Sequence, residues 1–426
     1  MVNFGLCKFA QIGNEKDIKK QSKAIKLNDL LKIWSNSKFQ RLWITGTSSG
    51  IARWIEVMCF SVFAWQITKD ATIAGYLMTL RLTGVLISSF LFLFIGGRVS
   101  GQVVMIVMHL LLGIICCLGI NLGTNAHFII PLFSFISFFS GVLWSSDFSF
   151  RRRMLGDRLP ISLVGKGLAI DVMSSHATRL LAMLIGGMLI ASGEAVYIFW
   201  LLFAFYVGPI ILLWPEKDEL KSHIGLTSTL KSVLAQAKQK QSIILVLCIT
   251  PIFNIFALPY LALIAVIFLE RFEVSPYLAG VFTSLEGAGA IMGGLLISIF
   301  QPKNFQLTFI VALTALLVSI FLIGCFPFVI GSVIILFFAG MMSSIYSSMQ
   351  STLIYVASKI ELRSPTFSLM TMAIGSGSIG ALNVAWMGNY FSVSELVMIM
   401  ALEGIIFLFI ILVIILYLGK NILKTN

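Results

Sequence analysis

Residues 243–269 read IILVLCITPIFNIFALPYLALIAVIFL and contain no charged side chain. A helix needs about 20 apolar residues to cross the hydrocarbon core of a membrane, so this run is long enough for one crossing. A transmembrane β-strand instead alternates polar and apolar side chains over about 10 residues, and this run does not alternate. The stretch therefore predicts a membrane-spanning helix and not a strand of a β-barrel.

The composition extends this prediction to the whole chain. Of the 426 residues, 58% are hydrophobic and 11% are charged, whereas a soluble domain carries about 25% charged residues. Too few polar side chains exist to cover a water-facing surface, which excludes a soluble enzyme and a disordered chain. One crossing with its loop uses roughly 30 residues. We therefore predict an all-α integral membrane protein with about twelve transmembrane helices.

The apolar runs fall into two groups of six, separated by the longest polar interruption. The predicted spans are 42–68, 72–96, 102–122, 127–149, 163–191, 194–214, 242–269, 276–300, 305–324, 327–357, 365–389 and 393–418. The predicted organisation is an N-terminal basic segment 1–41, a six-helix bundle 42–214, a linker 215–241, a second six-helix bundle 242–418 and a tail 419–426.

The basic residues indicate the orientation of the chain, whose net charge is +12. Nearly all of the 30 Lys and Arg residues fall in the termini, the linker and the loops that follow even-numbered spans. The opposite loops hold only Lys69 and Arg271. Because loops rich in Lys and Arg stay in the cytoplasm, we predict that both termini and the linker are cytoplasmic. The charge then serves orientation in a lipid bilayer, and no nucleic-acid partner is expected.

Two six-helix halves joined by a polar loop resemble the major facilitator superfamily. Residues 39–54 (FQRLWITGTSSGIARW) and 63–82 (FAWQITKDATIAGYLMTLRL) resemble the opening of its subfamily of enterobactin-type siderophore exporters and macrolide efflux proteins. Residues 151–193 resemble that subfamily's loop 4–5 and span 5, and residues 257–296 resemble its spans 7 and 8. The resemblance implies a monomeric secondary transporter of the bacterial inner membrane that works by alternating access.

The sequence departs from the family pattern at three places. The family's loop 2–3 resembles G-x-x-x-D-R-x-G-R-R, but residues 96–101 read GGRVSG and lack the acidic residue and the basic pair. A Gly-Pro pair in span 5 is replaced by Ala182 and Met183, which would make that helix straighter. Glu286 stands where relatives have a small residue. The first departure puts the family's usual charge latch between conformations in doubt.

Ionisable residues inside the spans are the candidates for function, because each costs about 2.5–3.5 kcal/mol on insertion scales. The arginines, which would bind a carboxylate or phosphate through two parallel N–H groups, are Arg53, Arg81 and Arg179. The carboxylates, which would carry protons, are Glu56, Asp171 and Glu286.

Each of these residues also has a structural interpretation. Arg53 and Glu56 are three residues apart and can form a local ion pair on one helix face, while Arg81 can pair with a carboxylate on a neighbouring helix. Asp171 and Arg179, eight residues apart, can face one cavity or form a latch between the halves.

Glu286 has no cation near it in the sequence and is the favoured proton carrier. Its structural alternative is an interhelical hydrogen bond made by the protonated acid.

Span 7 carries two further candidates for substrate binding, Asn254 and Tyr260. Asn254 lies between Pro251 and Pro259, where the helix should kink and leave backbone carbonyls free near the cavity. Tyr260 would supply an aromatic wall, although packing explains it equally well.

Three buried arginines in the first half favour a small anionic substrate. We expect a carboxylate-type siderophore, exported by proton antiport. A multidrug or macrolide efflux pump of the same fold is the alternative, and a non-transporting membrane sensor or assembly factor is the alternative from another class. The sequence contains no G-x-x-x-x-G-K-[ST] loop for ATP and no Cys/His spacing for a metal. We therefore expect no cofactor and no metal, and energy from a proton gradient.

Overall fold

The computed structural model describes residues 29–68, 72–95, 99–122, 126–192, 195–213, 226–274 and 276–424. Within these ranges it is helical and contains no β-strand. The basic N-terminal segment up to residue 28, residues 96–98 of loop 2–3 and the first part of the linker lie outside the described residues.

The first half contains six membrane helices. They are α1 (Ser37–Thr68), α2 (Thr72–Ile95), α3 (Gly101–Leu122), α4 (Ala126–Ser146), α5 (Ile161–Ser192) and α6 (Ala195–Val207), with a 3₁₀ extension of α6 over Gly208–Leu213. α4 continues through a π-helical turn, Asp147–Arg151, into a last helical segment, Arg152–Asp157. The α4 helix therefore extends further than the predicted span, and α5 is continuous over its whole length.

A linker helix, α7 (Leu226–Gln239), precedes the second half. It meets the next helix at 105°, so it lies across the bundle axis. The helices of the second half are α8 (Gln241–Ile252), α9 (Tyr260–Glu270), α10 (Pro276–Ile299), α11 (Phe305–Cys325), α12 (Val329–Ala357), α13 (Arg363–Ile374), α14 (Gly377–Met387) and α15 (Val393–Lys424).

Spans 7 and 11 are each built from two helices. Span 7 is interrupted in the region where its two prolines predict a kink: α8 passes into a π-helical turn, Phe253–Ala257, and α9 begins after Pro259. Each of the twelve predicted spans thus coincides with helix. By length and hydropathy alone, nine helices of the described chain could cross a membrane, or ten if the bent pair of α7 and α8 is one span.

The two halves contact each other most extensively along α5 with α10 and α2 with α13, and α5 also packs against α12. Glycines of α10 allow the close approach to α5, because a Cβ atom at Gly287 would press on Leu180 and one at Gly294 on Met173. On another face of α10, Gly289 lies against the backbone carbonyl of Phe337 in α12. The small residues therefore fix how closely the helices around Glu286 pack, as small residues do in membrane proteins generally.

Candidate functional site

An ion pair joins the two halves near the middle of the membrane helices. The Nη2 atom of Arg179, in α5, donates a hydrogen bond to Oε2 of Glu286, in α10. The side chain of Glu286 is 3% exposed and that of Arg179 is 14% exposed. The glycine-lined contact of α5 with α10 brings these side chains together, so the site exists only where the halves meet.

Aromatic side chains from both halves surround this pair. The guanidinium carbon of Arg179 lies 5.5 Å from the ring centroid of Trp54, in α1. Tyr260, at the start of α9, is buried near Arg179. Within the described chain, the hydroxyl of Tyr260 and Oε1 of Glu286 are buried atoms without a hydrogen-bond partner. Buried polar atoms usually have a hydrogen-bond partner. These two have none here, so they are available to bind a ligand or a proton.

Arg53 lies one residue before Trp54 and faces α4. Its guanidinium carbon is 4.9 Å from the ring centroid of Trp144. Arg53 is half-buried, forms no ion pair within the described residues, and its Nε atom has no hydrogen-bond partner there. It borders a cavity of about 10 Å³, whose other lining residues are Ser49, Ser140, Leu143, Trp144, Asp147 and Tyr206. Such a cavity holds about one water molecule.

Glu56 and Arg81 form a closed network inside the first half. Arg81 Nη2 donates to Glu56 Oε2 at 2.8 Å, and Arg81 Nη1 donates to the hydroxyl of Ser140 at 3.0 Å. The hydroxyl of Tyr206, in α6, donates to Oε1 of Glu56. Arg81 is 2% exposed and Glu56 is fully buried. The local Arg53–Glu56 pair considered in the sequence does not form; the pair of Arg81 with a neighbouring helix does.

Asp171 pairs with arginines at the end of α4 and not with Arg179. Its carboxylate binds Arg151 through two hydrogen bonds, of 2.6 and 3.1 Å, and lies 3.3 Å from Nε of Arg152. Arg151 also donates to both carboxylate oxygens of Asp147. Arg151 and Arg152, which we expected in a loop, are therefore buried. The reason is that two carboxylates, one on the same helix and one on α5, compensate their charge.

Asn254 occupies the π-helical turn of span 7. Its side-chain amide donates to the carbonyl oxygen of Thr250 at 2.8 Å, one turn earlier in the helix. The backbone of Asn254 packs against Gly377 at the start of α14. The structure therefore assigns Asn254 a partner within its own helix and not at the Arg179–Glu286 pair.

Hydrogen bonds close the two halves against each other at the end that carries the basic loops. Arg152 Nη1 donates to the hydroxyl of Ser351 at 2.8 Å. Asp157, at the end of α4, accepts from Arg363 at 2.7 Å and from the hydroxyl of Tyr355 at 2.8 Å. These contacts link α4 with α12 and α13, so the bundle is closed at this end.

Two features of the site were absent from the sequence-based expectation. Glu286 has no cation near it in the sequence, and the structure supplies one from the other half, Arg179. The contacts of Asp157 were not predicted. The pairing of Asp147 with Arg151 did have a signal in the sequence, because the two residues are four apart, the spacing of a helical ion pair.

Comparisons with known proteins agree with this architecture. The family model described as Major Facilitator Superfamily matches residues 42–382. The human organic anion transporter MFSD10 (TETRAN) superposes with a TM-score of 0.70 at 13% identity, over 88% of this chain and 99% of that chain.

Two further solved structures superpose similarly. The proton:xylose symporter XylE superposes with a TM-score of 0.69 at 13% identity, over 88% of this chain and 95% of that chain. A bacterial homologue of the iron transporter ferroportin superposes with a TM-score of 0.67 at 12% identity, over 90% of this chain and 99% of that chain. No curated protein matches the chain by sequence. At these identities the structures show a shared fold and nothing about the substrate.

Proposed function

Since this chain belongs to the major facilitator superfamily, a family of transporters and not of enzymes, we propose that it moves a small organic anion across the bacterial inner membrane. A carboxylate-type siderophore is the first substrate to test. In this proposal the bundles 42–214 and 242–418 of a monomer rock about the mid-membrane site, and both termini face the cytoplasm.

The Arg179–Glu286 pair is the observation that carries the proposal. It places a guanidinium at the junction of the halves, near the middle of the membrane, where transporters of this kind bind their substrates. A guanidinium matches the two oxygens of a carboxylate. Arg53 adds a second cation, and its free Nε atom within the described chain supports anion binding. Trp54 and Tyr260 supply apolar walls for the rest of a small organic molecule.

The same contacts argue against a pump for cationic drugs. A cationic drug requires an unpaired carboxylate, because burying a charge is costly unless it is compensated. Glu56 is held by Arg81 and Tyr206, and Glu286 is held by Arg179. Each acid is therefore neutralised inside the protein.

Transport by the purified protein in lipid vesicles tests the proposal. We expect a labelled citrate-based siderophore, or citrate itself as a small tricarboxylate probe, to cross the vesicle membrane, and Arg179→Ala to abolish this flux. Movement of a macrolide without movement of either anion would favour the drug pump. Failure of both classes to bind or move would favour the membrane sensor and overturn the proposal.

A further inference from the structure

The linker helix α7 presents a basic face that the Arg179–Glu286 pair does not use. We infer that this face binds the anionic headgroups of phospholipids at the membrane surface beside the bundle. The inference does not depend on what the chain transports, because it concerns a helix at the end of the bundle and not the substrate site.

The direction of α7 lays it along the membrane surface. Its segment Leu230–Gln239 meets the segment Gln241–Ala257 at 105°. Because the second segment belongs to span 7, which crosses the membrane, α7 runs roughly parallel to the surface. It ends directly before span 7 begins, and it contacts α2 of the first half as well as α8 and α13 of the second. The helix therefore lies at the level of the lipid headgroups.

Gln236 fixes which face of α7 is turned outward. Its side chain is buried, its Nε2 atom donates to the hydroxyl of Thr366 in α13 at 3.2 Å, and its Oε1 atom accepts from the backbone N–H of Lys359 at 2.7 Å. Val233 and Ala237 are buried with it. The opposite face of the helix is therefore left for water or lipid.

This outward face combines positive charge with an apolar side chain. Lys231, Leu234 and Lys238 are exposed, Leu234 by 46%. A helix turns by about 100° per residue, so both lysines lie within about 60° of Leu234 on the helix surface. In a helix at a membrane interface, apolar side chains enter the boundary of the acyl chains while lysines extend toward the headgroups. The three side chains match that arrangement.

The charge on this face is not balanced by the protein. The sequence of α7, LTSTLKSVLAQAKQ, contains two lysines and no acidic residue, and Lys240 follows directly. Lys231 and Lys238 form no ion pair within the described residues. In and before the 3₁₀ turn that α7 contacts, exposed Glu361 is offset by exposed Lys359. Three lysines remain, and anionic lipids attract such clusters.

A lipid fits this face better than a soluble acidic protein does. With the linker in the cytoplasm, as proposed, anionic lipids of the cytoplasmic leaflet are already present at the level of α7. The lysines and Leu234 together match a surface that is anionic outside and apolar beneath. A soluble acidic partner would match the lysines alone.

A fluorophore on the outward face measures the lipid contact. In full-length protein with Cys7, Cys117 and Cys325 replaced by serine, bimane is attached to Ala235→Cys, an exposed position beside Leu234 that leaves both lysines intact. The same background without Ala235→Cys gives the signal to subtract. The protein is placed in nanodiscs of equal parts phosphatidylglycerol and phosphatidylcholine, in which one lipid or the other carries brominated chains that quench bimane.

We expect the anionic lipid to be enriched next to the label. The ratio of phosphatidylglycerol to phosphatidylcholine, derived from the two quenching measurements, should exceed one by about fivefold or more, since each lysine near an anionic surface changes the preference by roughly that factor. In 1 M NaCl, where the screening length is about 3 Å, the ratio should fall toward one. This comparison uses the unaltered lysines, so it does not depend on how a variant folds.

Variants assign the preference to the lysines. Lys231→Gln combined with Lys238→Gln should bring the ratio close to one, because the side chains stay long and polar but lose their charge. Lys303→Gln is the matched control, since it removes an exposed charge from the loop between α10 and α11, and it should keep the ratio. The double variant should bind citrate in detergent as the wild type does.

Two results would overturn the inference. Equal quenching by the two lipids, unchanged in the double variant, would show that the lysines do not select for lipid charge. A label that neither lipid quenches and that iodide reaches freely would show that the face is turned to water, and would leave a soluble acidic partner as its occupant. Neither result bears on anion transport, and a failure of citrate to bind or move would leave the lipid measurement unaffected.

Discussion

Arg363 donates a hydrogen bond to Asp157 at 2.7 Å across the boundary between the two halves. Tyr355 donates to the same carboxylate oxygen at 2.8 Å, so one acidic side chain from α4 receives two donors from the second half. The loop 2–3 motif, which the sequence comparison with the family associates with a charge latch, lacks its acidic residue here. Asp157, Arg363 and Tyr355, the Asp157 cluster, are therefore positioned to hold the halves closed at the end that carries the basic loops, which we call the basic end.

Asp157→Asn should open the basic end more often. The side chains of Asp157 and Arg363 are 31% and 15% exposed, so we expect the pair to contribute about 1 kcal/mol, which is roughly a fivefold change in population. Thr352, buried in α12 beside Gly165 of α5, provides the reporter. The rate at which a thiol reagent labels Thr352→Cys should rise about fivefold.

The control for this measurement is Lys303→Ala, which removes an exposed charge near the same end without touching the Asp157 cluster. Equal labelling of Thr352→Cys in the Asp157→Asn, Lys303→Ala and unmodified backgrounds would show that Asp157 does not hold the halves together.

Arg81→Met should lower the stability of the folded protein more than its affinity for an anion. Arg81 is the cation bound to buried Glu56, and removal of one partner of a buried pair costs about 3–5 kcal/mol. Adding Glu56→Gln to Arg81→Met should restore part of the loss, because the unpaired charge is then removed. Thermal unfolding in detergent measures both effects, and citrate binding per folded molecule separates them from a role in the site.

If Arg81→Met unfolded at the wild-type temperature and failed to bind citrate, Arg81 would belong to the substrate site, as the sequence first suggested. The double variant would then bind no better than the single one.

The sequence was sufficient to locate the helices but not to show which of their charged residues pair with each other. Span positions depend on apolar length, which is local, so the run 243–269 already contained both the span and its kink at Pro251 and Pro259. Pairing depends on which helices become neighbours. Glu286 lacked a cation in its own helix, and Arg179 lies more than 100 positions away in the chain.

The burial of Arg151 was missed for a similar reason. An Arg-rich stretch after an apolar run is typical of a cytoplasmic loop, and only the approach of Asp171 from α5 makes its burial favourable. The spacing of Asp147 and Arg151 showed half of that arrangement. The other half required the packing of α4 against α5.

Arg53→Ala should weaken anion binding with little loss of stability. Within the described chain Arg53 has no ion-pair partner that would be left uncompensated, so its removal differs from that of Arg81. Loss of a charge-assisted contact costs about 1.5–3 kcal/mol, or roughly ten- to a hundredfold in affinity. Arg53→Lys should recover only part of this, because an ammonium group lacks the planar fork. Titration with citrate measures the affinity of the wild type, of Arg53→Ala and of Arg53→Lys.

Lys238→Ala, which removes an exposed positive charge from the linker helix, is the matched control and should bind citrate as the wild type does. Unchanged affinity in Arg53→Ala, together with unchanged thermal stability, would remove Arg53 from the proposed site.

The orientation of the chain can be tested with a cysteine that it already contains. Cys325 is exposed at the end of α11, near Arg271, which donates to its carbonyl oxygen at 3.1 Å. This loop is on the side with few basic residues, so the positive-inside rule places it outside the cell. A membrane-impermeant maleimide should label Cys325 in intact cells. Cys325→Ser should lose that label when Cys117, the other exposed cysteine in the described chain, is also replaced by serine.

In that double-serine background Lys303→Cys, in the loop between α10 and α11 on the opposite side, should react only after the cells are permeabilised. Labelling of Lys303→Cys in intact cells, with protection of Cys325, would reverse the orientation and place the Asp157 cluster and its closed end outside the cell.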